Sequence, residues 1–456
     1  MKTFTAVLIS FILCLSQGLA DQAVMPQSVS YKEYLSEVLA YYPLLKKEYA
    51  SIEEAIAQKA LAASSRMPRF WASADFQYGN DPVYVFGALL RQNRFSSDDF
   101  AVGRLNSPKP MSDNSASIEG QWLLFDFGQT ASRLKGAGLL VQSSRYQAQA
   151  VQMEAILAAS EVYSRLAMTQ KLIKMFDEAC AQGATEVAFA EQLRQEGLAL
   201  GADFYLARLT QTKLAQAVNE MKAQEAALSM VFNILRGKDP ALPVKVNLDY
   251  QKSPHLEGSL GEWMDKSIRK RLDIKAMAKQ LEAQGVDVDR EKMSFLPRIS
   301  GYGQAAQHAH GIGLSGGGNY VVGLKATLDI FDPGYKDRVK LASAQQSRLA
   351  SQYRQAMDQA ASDAAETYYQ LQALKSNKAL AAKALEDARQ ARQLTVPLYK
   401  EGRRSIEQML SLEAGVAEAY EHWLRLENAY CQRMLALKFY AGELDQKQAG
   451  EIYGNR

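Results

Sequence analysis

Ser294–Gln307 reads SFLPRISGYGQAAQ and Gly323–Gly334 reads GLKATLDIFDPG, and both passages have an earlier counterpart in the same chain. Ser65–Tyr78 (SRMPRFWASADFQY) and Gly120–Gly128 (GQWLLFDFG) stand in the same order in the first half. Further on, Leu193–Ala207 (LRQEGLALGADFYLA) is answered by Leu398–Glu413 (LYKEGRRSIEQMLSLE). Pro68 thus corresponds to Pro297, Phe125–Gly128 to Phe331–Gly334, and Glu196-Gly197 to Glu401-Gly402. The spacing from the Phe-Asp turn to the Glu-Gly turn is nearly equal in the two halves. A repeat of roughly 200 residues is far longer than any solenoid period. The chain is a duplicated half-molecule.

The quoted passages alternate. Phe70, Ala72, Ala74, Phe76 and Tyr78 share one strand face, with Arg69, Ser73, Asp75 and Gln77 on the other; Trp71 breaks the pattern. Ala116, Ile118, Gly120, Trp122 and Leu124 alternate with Ser117, Glu119 and Gln121. In the second half Ile299, Gly301, Gly303 and Ala305 alternate with Arg298, Ser300 and Gln304, and Val322, Leu324, Ala326 and Leu328 with Lys325, Thr327 and Asp329. Segments of about ten residues with this period are the signature of transmembrane β-barrel strands, although half-buried strands of a soluble sheet share it. Four strands cannot close a barrel, because the smallest membrane barrels have about eight. Open edges are not tolerated in lipid. A membrane location therefore demands an oligomer that pools strands.

Each strand pair is followed by a long helical stretch, Gln129 to about Gln195 and Tyr335 to about Lys400, rich in Ala, Leu, Gln, Glu, Lys and Arg. Gly136, Gly138, Gly183 and Pro397 are the main interruptions. Each stretch would extend roughly 100 Å, more than one globular core can cover, so coiled-coil or side-by-side packing is required. After each Glu-Gly turn the pattern is helical again, from Ala202 to about Leu235 and from Ile406 to about Tyr440. The expected organisation is a first repeat over 21–236 (strands about 68–80 and 115–127, hairpin about 129–235) and a linker over 237–262 with a short strand at Val244–Tyr250. A second repeat follows over 263–441 (strands about 297–308 and 319–331, hairpin about 335–440), then a polar, partly disordered tail over 442–456. The Asp81–Asn114 segment is a long hairpin excursion, and His310–Gly318 is its shorter counterpart.

The first 20 residues carry Lys2, an apolar run from Phe4 to Leu15 and small residues before the expected cut after Ala20, the pattern of a secretory signal peptide. Leu13 before Cys14 argues against lipidation. The mature chain keeps Cys180 and Cys431, 17 residues before Gly197 and 29 after Gly402. Turns at one level would set the two sulfurs roughly 18 Å apart in height, beyond the ~7 Å reach of a disulfide. Two free thiols are expected.

The net charge of +3 is spread through mixed-sign helical faces, which excludes a nucleic-acid footprint. Gly311-x-Gly313-x-x-Gly316 precedes a strand, not a helix, so it is a hairpin tip rather than a dinucleotide site. His308 and His310 lack a third ligand and read as a surface pair. No nucleophile–base constellation stands out among four histidines, so neither catalysis nor a cofactor is expected.

On the proline opening each first strand, the Leu-Phe-Asp-Phe-Gly and Ile-Phe-Asp-Pro-Gly closes and the paired Glu-Gly turns, the chain from about Tyr31 to Leu444 resembles the TolC-like outer-membrane efflux family. The resemblance implies an α+β membrane protein. Four strands per chain would enter a trimeric transmembrane β-barrel in the outer membrane, and long helical hairpins would form a periplasmic α-barrel. It implies a passive exit duct for efflux or type I secretion, with outer-membrane lipid around it and a periplasmic adaptor and inner-membrane pump as partners. It also implies a periplasmic gate of Asp203, Tyr399 and Arg404, and adaptor contact around Gly197, Leu198, Leu200, Gly402, Arg403 and Ser405. Phe125, Asp126 and Gly128, with Phe331, Asp332 and Gly334, make the strand–helix turns, and Phe70, Tyr78 and Trp122 are candidates for an aromatic girdle. The family's acidic ring positions hold Gln408 and Ser411, which puts cation selectivity in doubt. The alternative is a periplasmic coiled-coil adaptor or scaffold without a barrel.

Overall fold

The computed structural model describes residues 27–197, 201–246, 254–311, 313, 315–401 and 403–453. The expected signal peptide, 1–20, lies outside the described residues. In chain order the elements are β1 (Gln27–Val29), α1 (Tyr31–Tyr41), α2 (Pro43–Ser64), β2 (Arg69–Gly79), α3 (Pro82–Arg91), a 3-10 turn (Ser97–Phe100), α4 (Val102–Asn106) and β3 (Met111–Phe125). The first hairpin follows as α5 (Gln129–Gln195) and α6 (Gly201–Arg236), then β4 (Val244–Val246), α7 (Leu260–Lys270) and α8 (Leu272–Met293). The chain ends with β5 (Arg298–Ala309), β6 (Gly316–Thr327), α9 (Tyr335–Lys400), α10 (Ile406–Tyr440) and α11 (Gln446–Tyr453). It divides into two compact units, one of Met1–Lys47, Gln149–Arg271 and Asp358–Arg456, the other of Glu48–Ala148 and Leu272–Met357.

In the first unit, charge pairs spell out the hairpin register. Arg392 of α9 meets Glu413 of α10 at 2.5 Å, and Lys378 meets Glu427 at 3.2 Å. Arg392 and Glu413 stand equally far from the Glu401–Arg404 turn, and so do Lys378 and Glu427, as antiparallel neighbours must. Both carboxylates are buried, where an unpaired charge would be costly. In the first hairpin Lys222 bridges to Asp177 at 3.2 Å in the same manner.

The two outgoing helices pack on each other in parallel. Ala207, Leu214, Met221 and Leu228 of α6 recur every seventh residue, as do Leu410, Ala417, Leu424 and Cys431 of α10, and all are buried. They share clusters level by level: Ala207 with Leu410, Leu214 and Met221 with Ala417 and Leu424, and Leu228 with Cys431. A strict seven-residue apolar repeat is a coiled-coil seam.

The main core of this unit is aromatic. Tyr34 stacks on Phe232 at 3.9 Å, and Tyr31 packs against Tyr163 and Tyr453, each at 5.2 Å. The short strands β1 and β4 pair in parallel above it, Val29 opposite Val246; the strand expected over Val244–Tyr250 is described only over its first three residues.

The C-terminal tail corrects the expectation of partial disorder. Asp445 accepts the Gln448 N–H at 2.7 Å and starts α11, which buries Ala449, Ile452 and Tyr453 in the aromatic core. Gly442 makes this return possible: its φ is +65°, and a Cβ there would lie 2.5 Å from the Lys270 carbonyl. The polar composition that suggested a disordered tail belongs to the outward face of one amphipathic helix.

Both cysteines are free. Burial beside Tyr430 and Leu435 pushes the Cys431 thiol up to about 12, and Cys180 is only partly covered. A maleimide should therefore label Cys431 only after denaturation, as intact-mass analysis with and without urea would show.

In the second unit β2, β3, β5 and β6 form one antiparallel sheet in that order. The excursion between β2 and β3 is not bare loop, since it carries α3, the 3-10 turn and α4. Asp81 caps α3 by accepting the Tyr84 N–H at 2.9 Å, with Pro82 at the first helical position.

Candidate functional site

Two regions carry the expected function: the sheet of the second unit and the helical tips of the first.

The sheet register brings the apolar sets of all four strands to a common face. Phe70 pairs with Gly120, Gly120 with Gly303 and Gly303 with Val322; one step along, Ala72, Ile118, Ala305 and Tyr320 form the next row. Trp122, Gly301 and Leu324 form the row nearer the helices. The opposite face carries Arg69, Ser73, Asp75, Gln77, Glu119, Gln121, Gln304, Asn319 and Lys325 by the same register. Trp71 belongs to this polar face, where the Arg69 guanidinium lies 5.8 Å from its ring, so the break in alternation is a cation–π contact.

The apolar face is open. Phe70, Phe76, Ile118, Tyr320, Val322 and Leu324 are each more than 60% exposed. Such a patch marks a membrane or protein contact. Its glycines have a packing role: a Cβ on Gly120 would come within 2.7 Å of the Phe70 ring lying across it. Phe70 and Trp122 sit toward the helical end of this face and Tyr78 toward the other, and the Trp122 indole donates to the Arg66 carbonyl at 2.8 Å. The eight steps of strand from Phe70 to Tyr78 span roughly 26 Å, about the height of an outer-membrane apolar band. The outer edges of β2 and β6 have no strand partner among the described residues. No helix among those residues is long and apolar enough to cross a membrane.

Each Phe-Asp turn converts strand into helix with its aspartate. Asp126 accepts the Thr130 N–H at 2.7 Å and the Gly128 N–H at 3.2 Å; Gly128 has φ +93°. Asp332 accepts the Gly334 N–H at 2.9 Å and binds Arg338 at 2.5 Å. Both carboxylates therefore sit where the first helical N–H groups need an acceptor. Phe125 and Phe331 remain largely exposed beside them.

At the opposite ends of the long helices, Gly197 has φ +75° and permits the first turn. Leu198, Leu200 and Gly402 lie outside the described residues. Arg194 grips Glu191 with both prongs, at 2.8 and 2.7 Å, and stacks 5.4 Å from the Phe204 ring. The guanidinium holds the Glu191 carboxyl down at about 2. Its contribution is thus complete above the ordinary carboxylate range and lost only as pH falls toward that value. The sequence reading missed this pair, although a Glu-x-x-Arg spacing is a standard helical ion-pair signal. Phe204, Ala207, Ile406 and Leu410 pack the tips together, with Tyr399 alongside.

The three expected gate residues are not joined to one another within the chain. Asp203 stands half-buried in the first turn of α6, with no hydrogen bond or ion pair among the described residues. Arg404 reaches only Gln408, at 3.5 Å, and Arg403 reaches Glu401 at 3.4 Å. The Tyr399 hydroxyl is buried and stands near the Glu186 carboxylate without reaching hydrogen-bond geometry; burial first, and that carboxylate second, raise its pKa. Ser405 caps α10 through the Gln408 N–H at 3.3 Å, and the Gln408 and Ser411 side chains are exposed.

The histidine pair is corrected. His308 bonds the buried Asp113 at 3.0 Å, which also receives Arg91 at 3.2 Å and Gln92 at 2.8 Å, whereas His310 bonds Ser112 at 3.2 Å. These contacts fasten the excursion to the sheet. No group of side chains among the described residues could hold a metal ion.

Residues 263–443, the second repeat, match the Outer membrane efflux protein family. No curated protein is a significant sequence relative. Solved structures share the fold over nearly the whole chain. The outer-membrane channel OprN is 20% identical, with a TM-score of 0.75 over 91% of this chain and 90% of that one. The Campylobacter jejuni CmeC outer membrane channel is 16% identical, at 0.75 over 92% and 88%. The outer membrane protein VceC of Vibrio cholerae is 18% identical, at 0.73 over 90% and 96%. The chain thus shares the fold of these outer-membrane channels over nearly its whole length, and its residues 263–443 match the outer membrane efflux protein family.

Proposed function

We propose that three copies of the chain pool their strands into one outer-membrane barrel that serves as a passive exit for substrates handed over by a periplasmic adaptor and an inner-membrane pump. The outer-membrane channel reading rests above all on one observation: a four-stranded sheet with one apolar face, one polar face and two open edges. Lipid tolerates no open edge, and three such sheets make a twelve-stranded barrel with its apolar face outward. A periplasmic scaffold would need the helical hairpins but no exposed apolar sheet. Resistance to carbonate extraction, together with discrete conductance steps in planar bilayers, tests the reading; a protein released by carbonate sinks it.

Asp203, Tyr399 and Arg404 form the gate in this reading, joined between chains rather than within one. What supports it is the set of polar groups left underused among the described residues: the Tyr399 hydroxyl, the Asp203 carboxylate, and an Arg404 guanidinium held at 3.5 Å by the neutral Gln408 amide. Arg404 presents a fork suited to a carboxylate. Each such contact at an exposed tip is worth about 1 kcal/mol, roughly a fivefold shift in a closed–open equilibrium. Replacing Arg404 by Ala and Tyr399 by Phe together should raise the mean single-channel conductance. Conductance equal to wild type removes the gate assignment and leaves the barrel intact.

A further inference from the structure

We propose that the excursion between β2 and β3 holds a binding pocket for a small amphipathic anion, an acyl or aromatic carboxylate. The excursion encloses a cavity of about 490 Å³, within the range of small-molecule sites. Its counterpart between β5 and β6 is a short turn, so the duplication alone does not account for it. Secondary structure folded into a long surface loop is where binding sites concentrate.

The floor is apolar and braced. Val85 and Ala88 of α3 bury against Met111 at the start of β3. Phe86 meets Phe95 edge-on at 5.0 Å, and Phe95 meets Phe100 likewise at 5.0 Å. Phe86 and Phe95 line the cavity, with Phe100 behind Phe95, and give a wall that a flat or extended apolar body can lie against.

The rim is cationic. Arg94, Arg104 and Lys109 line the cavity, and Asp99 is its one carboxylate. Asp99 is already committed, because one of its oxygens accepts both the backbone N–H and the hydroxyl of Ser96, at 2.9 and 2.8 Å. Arg104 reaches the other oxygen only at 3.5 Å. Arg94 bonds the neutral Gln92 amide at 3.3 Å, and Lys109 has no ion pair among the described residues. Surplus positive charge over an aromatic floor selects an apolar molecule with an anionic head and disfavours a cation of the same shape. Two sources fit this chemistry: a single-chain lipid anion, and an aromatic carboxylate leaving by the channel.

The test uses the full-length protein in phosphatidylcholine nanodiscs with the fluorescent fatty acid 11-(dansylamino)undecanoate as probe. Laurate, 1-naphthoate and dodecyltrimethylammonium are the competitors. Saturable binding displaced by the anions and not by the cation is expected. Arg104→Gln with Lys109→Gln, both at exposed positions, should weaken the probe at least tenfold while leaving trimer mobility and conductance unchanged. Stronger displacement by laurate assigns the site to lipid, and stronger displacement by naphthoate assigns it to exported cargo. Displacement by dodecyltrimethylammonium equal to that by laurate, or unchanged affinity in the double variant, overturns the proposal. Binding is read without current, so a non-conducting protein that still binds would fault the channel reading and not this one.

Discussion

Ile118→Arg abolishes stable residence in the membrane. Ile118 is the middle residue of β3, is 64% exposed, and lies on the apolar face between Ala72 of β2 and Ala305 of β5. Its neighbours are small, so an arginine meets no steric obstacle and the effect is one of solvation alone. An arginine at the bilayer midplane of a β-barrel costs about 2–4 kcal/mol, and a trimer carries three. The carbonate-resistant fraction and the heat-stable trimer on semi-native gels should both collapse. Gln304→Arg is the control: it sits on the polar face opposite Glu119, which can pair with it, and should assemble as wild type. An Ile118→Arg protein that stays in the membrane at wild-type levels would mean that the apolar face does not meet lipid.

The same residues show what the sequence made legible. Alternation is a local signal, and Phe70 to Tyr78 or Ile299 to Ala305 declared which residues would share a face without declaring which strand would lie beside which. The pairing of β3 with β5, which joins the two repeats into one sheet, depends on contacts between residues far apart in sequence. The long helices were legible from composition. Their seam was equally written, as Ala207, Leu214, Met221, Leu228 and Leu410, Ala417, Leu424, Cys431, but alanines and a cysteine among the heptads hid it from a reading by hydrophobicity. Small residues there let the helices approach closely.

Burial decided the cases the sequence left hidden. Asp113 fell inside the expected excursion and His308 read as half of a surface pair; only the return of α3 onto the sheet makes them partners. The residues proposed for the gate were picked out by type and by distance from the glycine turns, and within the chain they are not joined. A contact completed by a neighbouring copy leaves no trace in one sequence except the residues themselves.

Truncating the chain after Asp445 is the sharper test of how the first unit is held together. A polar, partly disordered tail could be removed without consequence. In the structure, α11 instead places Ile452 and Tyr453, both almost fully buried, into the aromatic core. Each burial is worth about 1.5–3 kcal/mol, and the bond from the Gln432 amide to the Tyr453 hydroxyl, at 2.8 Å, adds about 1 kcal/mol. Tyr31, 5.2 Å from the Tyr453 ring, would lose its cover as well. The truncated protein should therefore be less stable by roughly 4–7 kcal/mol, read as a lower temperature for trimer dissociation. Point variants separate the causes. Tyr453→Ala should reproduce most of the loss, because an excised aromatic leaves a cavity costing about 3–5 kcal/mol. Tyr453→Phe keeps the ring and should cost only about 1 kcal/mol. A truncated protein with wild-type thermal behaviour would return α11 to the status of a dispensable tail.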